Sequence, residues 1–279
     1  MPARVLTDYH VHLRPDDEGT PAAQYFTAAN AERYRAVAEE RGIAELGVAE
    51  HIHRFTQSLE IWRHPWWQRW AQDDVDAYCE FVREETDLRL GIEADFVAGR
   101  EDRIANFLDA REWDFVVGSV HFIADAAVDM EEWSVWGRGE SPEKVWRRYF
   151  ETVGESARTG LYDIIAHPDL VKVWGGDAPQ PEGDLRRYYE PAIEGCLDGG
   201  VALEVSPAGL RKPVGEIYPA RSFLEEAAGA GLPIALSSDA HLPDQLGHRY
   251  DEALELLAAV GVTELSVFEG RERRLEPIG

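Results

Sequence analysis

Apolar residues along the chain gather into short runs rich in Val, Ile, Leu and Ala, and longer stretches with helical spacing separate these runs. The strand-like runs cover 4–12, 45–51, 88–96, 115–122, 163–170, 202–206, 234–239 and 264–268, and the helix-like stretches 22–41, 65–86, 101–111, 141–159, 184–199, 219–230 and 244–260. The first helical stretch carries Tyr34, Val37, Ala38 and Arg41 at helical spacing and stops at Gly42. Ser141-Pro142-Glu143 reads as an N-cap followed by proline at the first helical position. In the last stretch Ala253, Leu254, Leu257 and Ala258 form a stripe that ends before Gly261.

Strand and helix alternating at this rhythm imply right-handed crossovers and a parallel sheet. Seven or eight such units predict a closed (β/α) barrel. The polar residues give the same answer. His10, His12, His51, Glu93, His121, His167, Asp239 and His241 all end or closely follow strand-like runs, and six different runs contribute. A barrel brings the carboxyl ends of all its strands to one rim, whereas an open sheet would gather ligands at a single switch point. No GxGxxG fingerprint, phosphate loop, internal repeat or linker interrupts the pattern, so one domain over 1–279 is expected.

His10 and His12 lie two apart on a strand and therefore face the same side. A single His-x-His is more often packing than chemistry, but seven of the nine histidines occupy strand ends, with His53 beside His51. Glu93 stands inside a strand of the sheet, where a carboxylate is costly unless it is paired or metal-bound. Six imidazoles with carboxylates suit zinc, manganese or iron. Calcium would want oxygens, and the lack of thiolates disfavours a structural zinc. Eight or nine ligands fit three divalent ions better than one or two.

Composition narrows the rest. A net charge of −25 argues against a nucleic-acid groove, and metals bound at the site would reverse the sign locally for an anionic substrate. Cys79 and Cys196 are distant and suit reduced thiols, and no apolar run is long enough to span a bilayer; a cytoplasmic protein is expected. Only three lysines occur, Lys144, Lys172 and Lys212. Trp62, Trp66, Trp67 and Trp70 crowd into nine residues after the His51 run; Trp67 falls on a core-facing stripe, and the other three could wall the mouth of the barrel. Nothing in the sequence bears on oligomeric state.

Asp8-Tyr-His10-Val-His12, the strand-end His51, Gly91-Ile-Glu-Ala-Asp95, Gly118-Ser-Val-His121, Ala166-His-Pro-Asp169 and Ser238-Asp-Ala-His241 occur in this order. The set resembles the PHP (polymerase and histidinol phosphatase) family, and within it the histidinol-phosphate phosphatases, from Asp8 to about Gly247. The resemblance implies a distorted (β/α)7 barrel with three metals at the carboxyl ends of its strands. His10, His12, Glu93 and Asp239 would hold one ion, Glu93, His121 and His167 a second, and His51 and His241 a third. The family places another ligand shortly after the first motif. Here Leu13-Arg-Pro-Asp-Asp-Glu18 has no histidine; Asp17 is preferred, with Asp16 and Glu18 as alternatives. Glu50 stands where the family commonly has Asp and could orient His51. The segment 204–213 resembles the one bearing a phosphate-facing arginine, which would be Arg211, with Lys172 a second candidate. The implied activity is hydrolysis of a small phosphate monoester, L-histidinol phosphate to L-histidinol and phosphate, by a metal-bridging hydroxide, with His53 a candidate proton donor. Other readings are action on a nucleotide or sugar phosphate, or a non-catalytic metal-binding module.

Overall fold

The structure, a computed structural model, describes residues 5–278. Arg4, at the head of the expected strand 4–12, lies outside the described residues. Seven strands form one parallel sheet in strict sequence order: β1 (Leu6–Asp8), β2 (Ile43–His51), β3 (Arg89–Asp95), β4 (Phe115–Ser119), β5 (Ile164–Ile165), β6 (Ala202–Val205) and β7 (Ile234–Leu236). Sequential order in a parallel sheet with crossover helices means that the sheet curls steadily in one direction. Here it nearly closes. Val11 bridges Ala240 in parallel, with His12 N donating to Ala240 O at 2.7 Å, and Thr7 Oγ1 donates to Leu236 O at 2.9 Å. The architecture is a (β/α)7 barrel.

Helices α1 (Ala28–Glu40), α2 (Pro65–Trp70), α3 (Val75–Glu85), α4 (Glu101–Asp109), α5 (Pro142–Arg158), α6 (Glu190–Gly199), α7 (Arg221–Gly229) and α8 (Tyr250–Ala259) surround it. Several expected helices are shorter or divided. The stretch 65–86 splits because Asp74 caps a new helix, accepting from the Asp76 and Ala77 amides, while Asp73 O is taken by the amide of Thr56. Likewise Thr27 caps α1 by accepting from Asn30 N, leaving 22–25 as a separate turn. The run 264–268 is not a barrel strand. As β8 (Glu264–Glu269) it pairs antiparallel with β9 (Glu272–Pro277), and this hairpin packs beneath the barrel. Val267 and Phe268 enter the interior beside Tyr9 and Phe115, and Phe268 N donates to Tyr9 Oη at 3.1 Å.

That interior explains how the site is raised to one rim. Its lower layer is filled by Phe115 and Tyr9, its middle by Ala49, Val117, Ile164, Ala166, Ala202 and Ala235. Phe115 can lie across the barrel only because its neighbours have no side chains: a Cβ on Gly91 would stand 2.2 Å from the ring, and one on Gly47 2.5 Å. Small residues in the middle leave the volume above them to the polar ends of the strands. Gly91→Ala should therefore destabilise the protein by about 1–3 kcal/mol through overpacking, read as a fall in the urea midpoint. An unchanged midpoint would mean that the Phe115 ring moves freely.

Candidate metal centre

At the carboxyl rim, His51 and Glu93 on β2 and β3, together with His10, His12, His121, His167, Asp239 and His241 just past the ends of β1, β4, β5 and β7, face one space. Glu93 is its centre. Its Oε2 faces His10 Nε2 at 3.4 Å and His12 Nε2 at 3.6 Å and touches His51 Nδ1; its Oε1 faces His167 Nε2 at 3.4 Å and His121 Nε2 at 3.6 Å. Asp239 Oδ1 lies 3.7 Å from His10 Nε2, 3.6 Å from His12 Nε2 and 3.5 Å from His241 Nδ1. The Nε2 atoms of His51 and His241 are 3.3 Å apart.

These separations distinguish coordination from hydrogen bonding. Two ligand atoms on a tetrahedral ion with bonds of 2.0–2.1 Å stand roughly 3.3 Å apart, whereas a charge-assisted hydrogen bond closes to about 2.6–2.9 Å. The same histidines show the shorter distance on their other sides. His10 Nδ1 meets Glu204 Oε1 at 2.9 Å and His121 Nδ1 meets Asp95 Oδ1 at 2.6 Å. Each of these contacts fixes a ring so that its Nε2 lone pair points inward. The inward atoms are orphans: His10 Nε2, His12 Nε2 and both oxygens of Glu93 are enclosed without a hydrogen-bond partner. Three sets, His10/His12/Asp239, His10/Glu93/His167 and His12/His51/His241, each bring three donor atoms within 4.8 Å of one another. The donor set fits a divalent cation.

Electrostatics agree. Burial opposes a charge on Glu93, but His51 and His10 outweigh it and hold the carboxyl well below the usual range. Burial also opposes a charge on His121, and Asp95 overrides it, lifting the ring to about 10. His12, with burial as its largest influence and His51 beside it, falls to about 4. His167 and Asp239, each just past its strand, adopt left-handed backbone with φ of 26° and 49°. Such conformations are strained for residues with side chains and persist where the surroundings enforce them.

Residues 23–208 match the sequence model of the PHP domain. The chain belongs to the PHP family. Over 278 residues it is 32% identical to a probable histidinol-phosphatase of Deinococcus radiodurans, covering 98% of this chain and 99% of that protein. A histidinol-phosphatase of Bacillus subtilis is 29% identical over 89% of this chain and 98% of its own length. A histidinol phosphate phosphatase of Lactococcus lactis, crystallised with zinc, L-histidinol and phosphate, superposes with a TM-score of 0.70 at 18% identity over 98% of this chain and 99% of that one. This likeness carries the fold.

Around the PHP cluster a cavity of about 350 Å³ opens, lined by Asp16, His53, Trp66, Trp70, Asp129, Met130, Trp174, Lys212 and Tyr218 among others. Five expectations change here. Asp17 does not reach the cluster: it is exposed, and its Oδ1 accepts from Gly19 N in its own turn. Glu18 pairs with Arg69 at 2.8 Å, so the loop acid lining the cavity is Asp16, held by Arg54 at 3.1 Å. Lys172 is buried, with Asp169 Oδ2 at 2.9 Å, Glu216 Oε2 at 3.2 Å and Ile217 O at 2.9 Å consuming its three N–H bonds. Arg211 turns under the rim, donating to Ser238 O at 2.9 Å and Asp239 O at 2.8 Å, and its neighbour Lys212 lines the cavity instead. Glu50 does not touch His51; it accepts from Leu13 N at 2.8 Å and Arg14 Nε at 2.9 Å, fastening the end of the first motif to β2.

Of the expected tryptophan wall, Trp66 and Trp70 stand on the cavity, 4.3 and 5.5 Å from the His53 ring, while Trp62 packs on Phe122 at 5.0 Å. Sequence reasoning assigned no role to Glu204. It was detectable by the argument applied to Glu93, as an acid within an apolar strand. Glu204 also accepts from His167 N at 2.7 Å, so one carboxylate orients two histidines. Glu204→Gln should weaken metal binding roughly 10- to 100-fold, measured by competition with a chelating dye. Undiminished affinity would remove Glu204 from this role.

Proposed function

We propose that this PHP protein is a single-domain cytoplasmic phosphatase that hydrolyses L-histidinol phosphate to L-histidinol and phosphate with the help of three divalent ions, zinc, manganese or iron. The observation that carries the reading is the buried Glu93 carboxylate with imidazoles facing each of its oxygens, in a chain collinear with proteins named histidinol-phosphatases. The two free cysteines and the lack of a membrane-crossing helix among the described residues are compatible with the compartment.

His10, His12, Asp239 and Glu93 would hold one ion, Glu93, His121 and His167 a second, and His12 or Asp16 would join His51 and His241 around the third. Bound there, such ions supply Lewis acidity and activate water near neutral pH. The chain's own groups do the rest. Glu204 and Asp95 keep the rings of His10 and His121 in the tautomer that presents Nε2 inward. Lys212, which makes no ion pair among the described residues, and the unpartnered hydroxyl of Tyr218 both line the cavity and would receive phosphoryl oxygens, the lysine as a point charge and the tyrosine as a single donor. Arg211 contributes by bracing the backbone that carries Asp239. Trp66 and Trp70 cover one side of the cavity and limit water around the reacting ester. His53 lines the cavity with Asp95 Oδ2 3.7 Å from its Nδ1, and burial drives its pKa down to about 3, so it would give the departing oxygen a hydrogen bond from a neutral ring and not a proton.

The metal-loaded protein should release phosphate from L-histidinol phosphate with a kcat/KM well above that for an aryl phosphate, and lose this activity on chelation. Glu93→Gln should reduce turnover to background while leaving the circular dichroism spectrum intact. Equal, feeble rates on both esters would retain the hydrolase and remove the named substrate; full activity of Glu93→Gln would remove the metal centre from the reaction.

A further inference from the structure

One carboxyl group lining the cavity has no ion-pair partner among the described residues, and burial pushes its pKa up. Asp129 follows the small hairpin Phe122–Ile123/Ala126–Ala127, and the amide of the preceding residue, Val128, donates to His121 O at 2.9 Å, which pins this segment beside β4. The side chain lines the cavity. Its Oδ1 is enclosed without a hydrogen-bond partner, and among the described residues the carboxylate forms no ion pair. The charges within its electrostatic reach are His121 and His167 of the cluster and Lys212 across the cavity, and Lys212 stays beyond ion-pairing distance. Beside it the wall is apolar, with Met130, Leu170, Val173 and Trp174; the Trp174 indole N–H is already engaged by Val128 O at 2.8 Å, so its ring faces are left for contact.

An acid enclosed in this way is costly unless something cationic completes it. A phosphate monoester cannot, because its own charge is negative. The organic half of the substrate can. We infer that Asp129 is the specificity residue for the leaving group, binding a primary ammonium carried on the carbon next to the ester-bearing one, with the apolar wall receiving the attached ring. The inference rests on the phosphatase reading above. It gives the cavity two poles, a cationic one for phosphate and an anionic one for the amine, so that amine-free phosphates of similar size lack the second contact. His121, His167 and Asp129 line the same cavity, so one small molecule seated there can meet both the cluster and the acid.

The test compares L-histidinol phosphate with its desamino counterpart on the metal-loaded protein. Wild type should favour the amine by at least about tenfold in kcat/KM, and Asp129→Asn should erase roughly ten- to hundredfold of that preference, chiefly through KM, with metal content unchanged by elemental analysis. L-histidinol binding, followed by calorimetry, should weaken in parallel, whereas affinity for inorganic phosphate should not. Equal losses on both esters, a drop in metal content, or a wild type indifferent to the amine would each overturn the inference. Should neither ester be hydrolysed, the phosphatase reading fails by itself. L-histidinol binding that depends on Asp129 would then still uphold the recognition role, and an absence of binding would end it.

Discussion

A carboxylate at the centre of a barrel is the constraint from which the rest of this molecule follows. Glu93 is 1% exposed, and among the described residues no arginine or lysine pairs with it; what surrounds it are imidazoles, which can be neutral ligands or weak cations. Charge in such a place is tolerated only with compensation on every side. The seven-stranded barrel supplies it, because successive strands bring one or two side chains each to the same rim. The lower barrel is correspondingly apolar and tightly filled, with Phe115 lying over two glycines, so that the strand ends cannot relax inward and collapse the polar chamber. Left-handed backbone at His167 and Asp239 belongs to the same demand: the strand must end, and the next side chain must still point at the centre.

Viewed from the centre, the large acidic excess divides into two populations. Asp8, Glu50, Glu93, Asp95, Asp169 and Glu204 are each 2% exposed or less. They act as internal struts whose partners are backbone amides, imidazoles, Arg14 and Lys172: Asp8 accepts from Ser238 N at 2.9 Å, and Asp169 from Ala220 N at 2.7 Å. In this position the carboxylate sets direction, since it fixes which ring nitrogen is free and where a loop turns. The acids exposed away from the cavity govern solubility and long-range field.

The barrel and its cluster were legible in the sequence because strand periodicity fixes direction. A residue two positions from another in extended chain shares its face, so His10 and His12, just past β1, and Glu93 inside β3 could be aimed from the sequence. The rim was not legible, because there the chain leaves regular structure. Pro207–Arg211 is a short 3₁₀ turn, and a shift of one position within it exchanges Arg211 for Lys212 at the cavity. Residues 14–20 form a loop stitched by Arg54 to Pro15 O, Asp17 O and Thr20 Oγ1, and this stitching, not spacing, presents Asp16 and turns Asp17 to its own backbone. Lys172, the second candidate for the phosphate, is drawn away for a third reason: Asp169, three residues earlier, pairs with it beside the Tyr218 ring at 5.4 Å.

The same division separates chemistry from selectivity. Groups that would hold cations sit at or just past the strand ends, where the barrel brings them to one rim. Those that would meet the substrate, Asp129, Met130 and Trp174 at its organic half and Lys212 and Tyr218 at its phosphate, come from connecting segments. Loops tolerate substitution that strands do not. A barrel of this kind can therefore keep one cation cage while exchanging the wall opposite it. The cage makes any phosphate monoester a plausible guest, and it falls to an unpartnered acid on a loop to decide which one is retained.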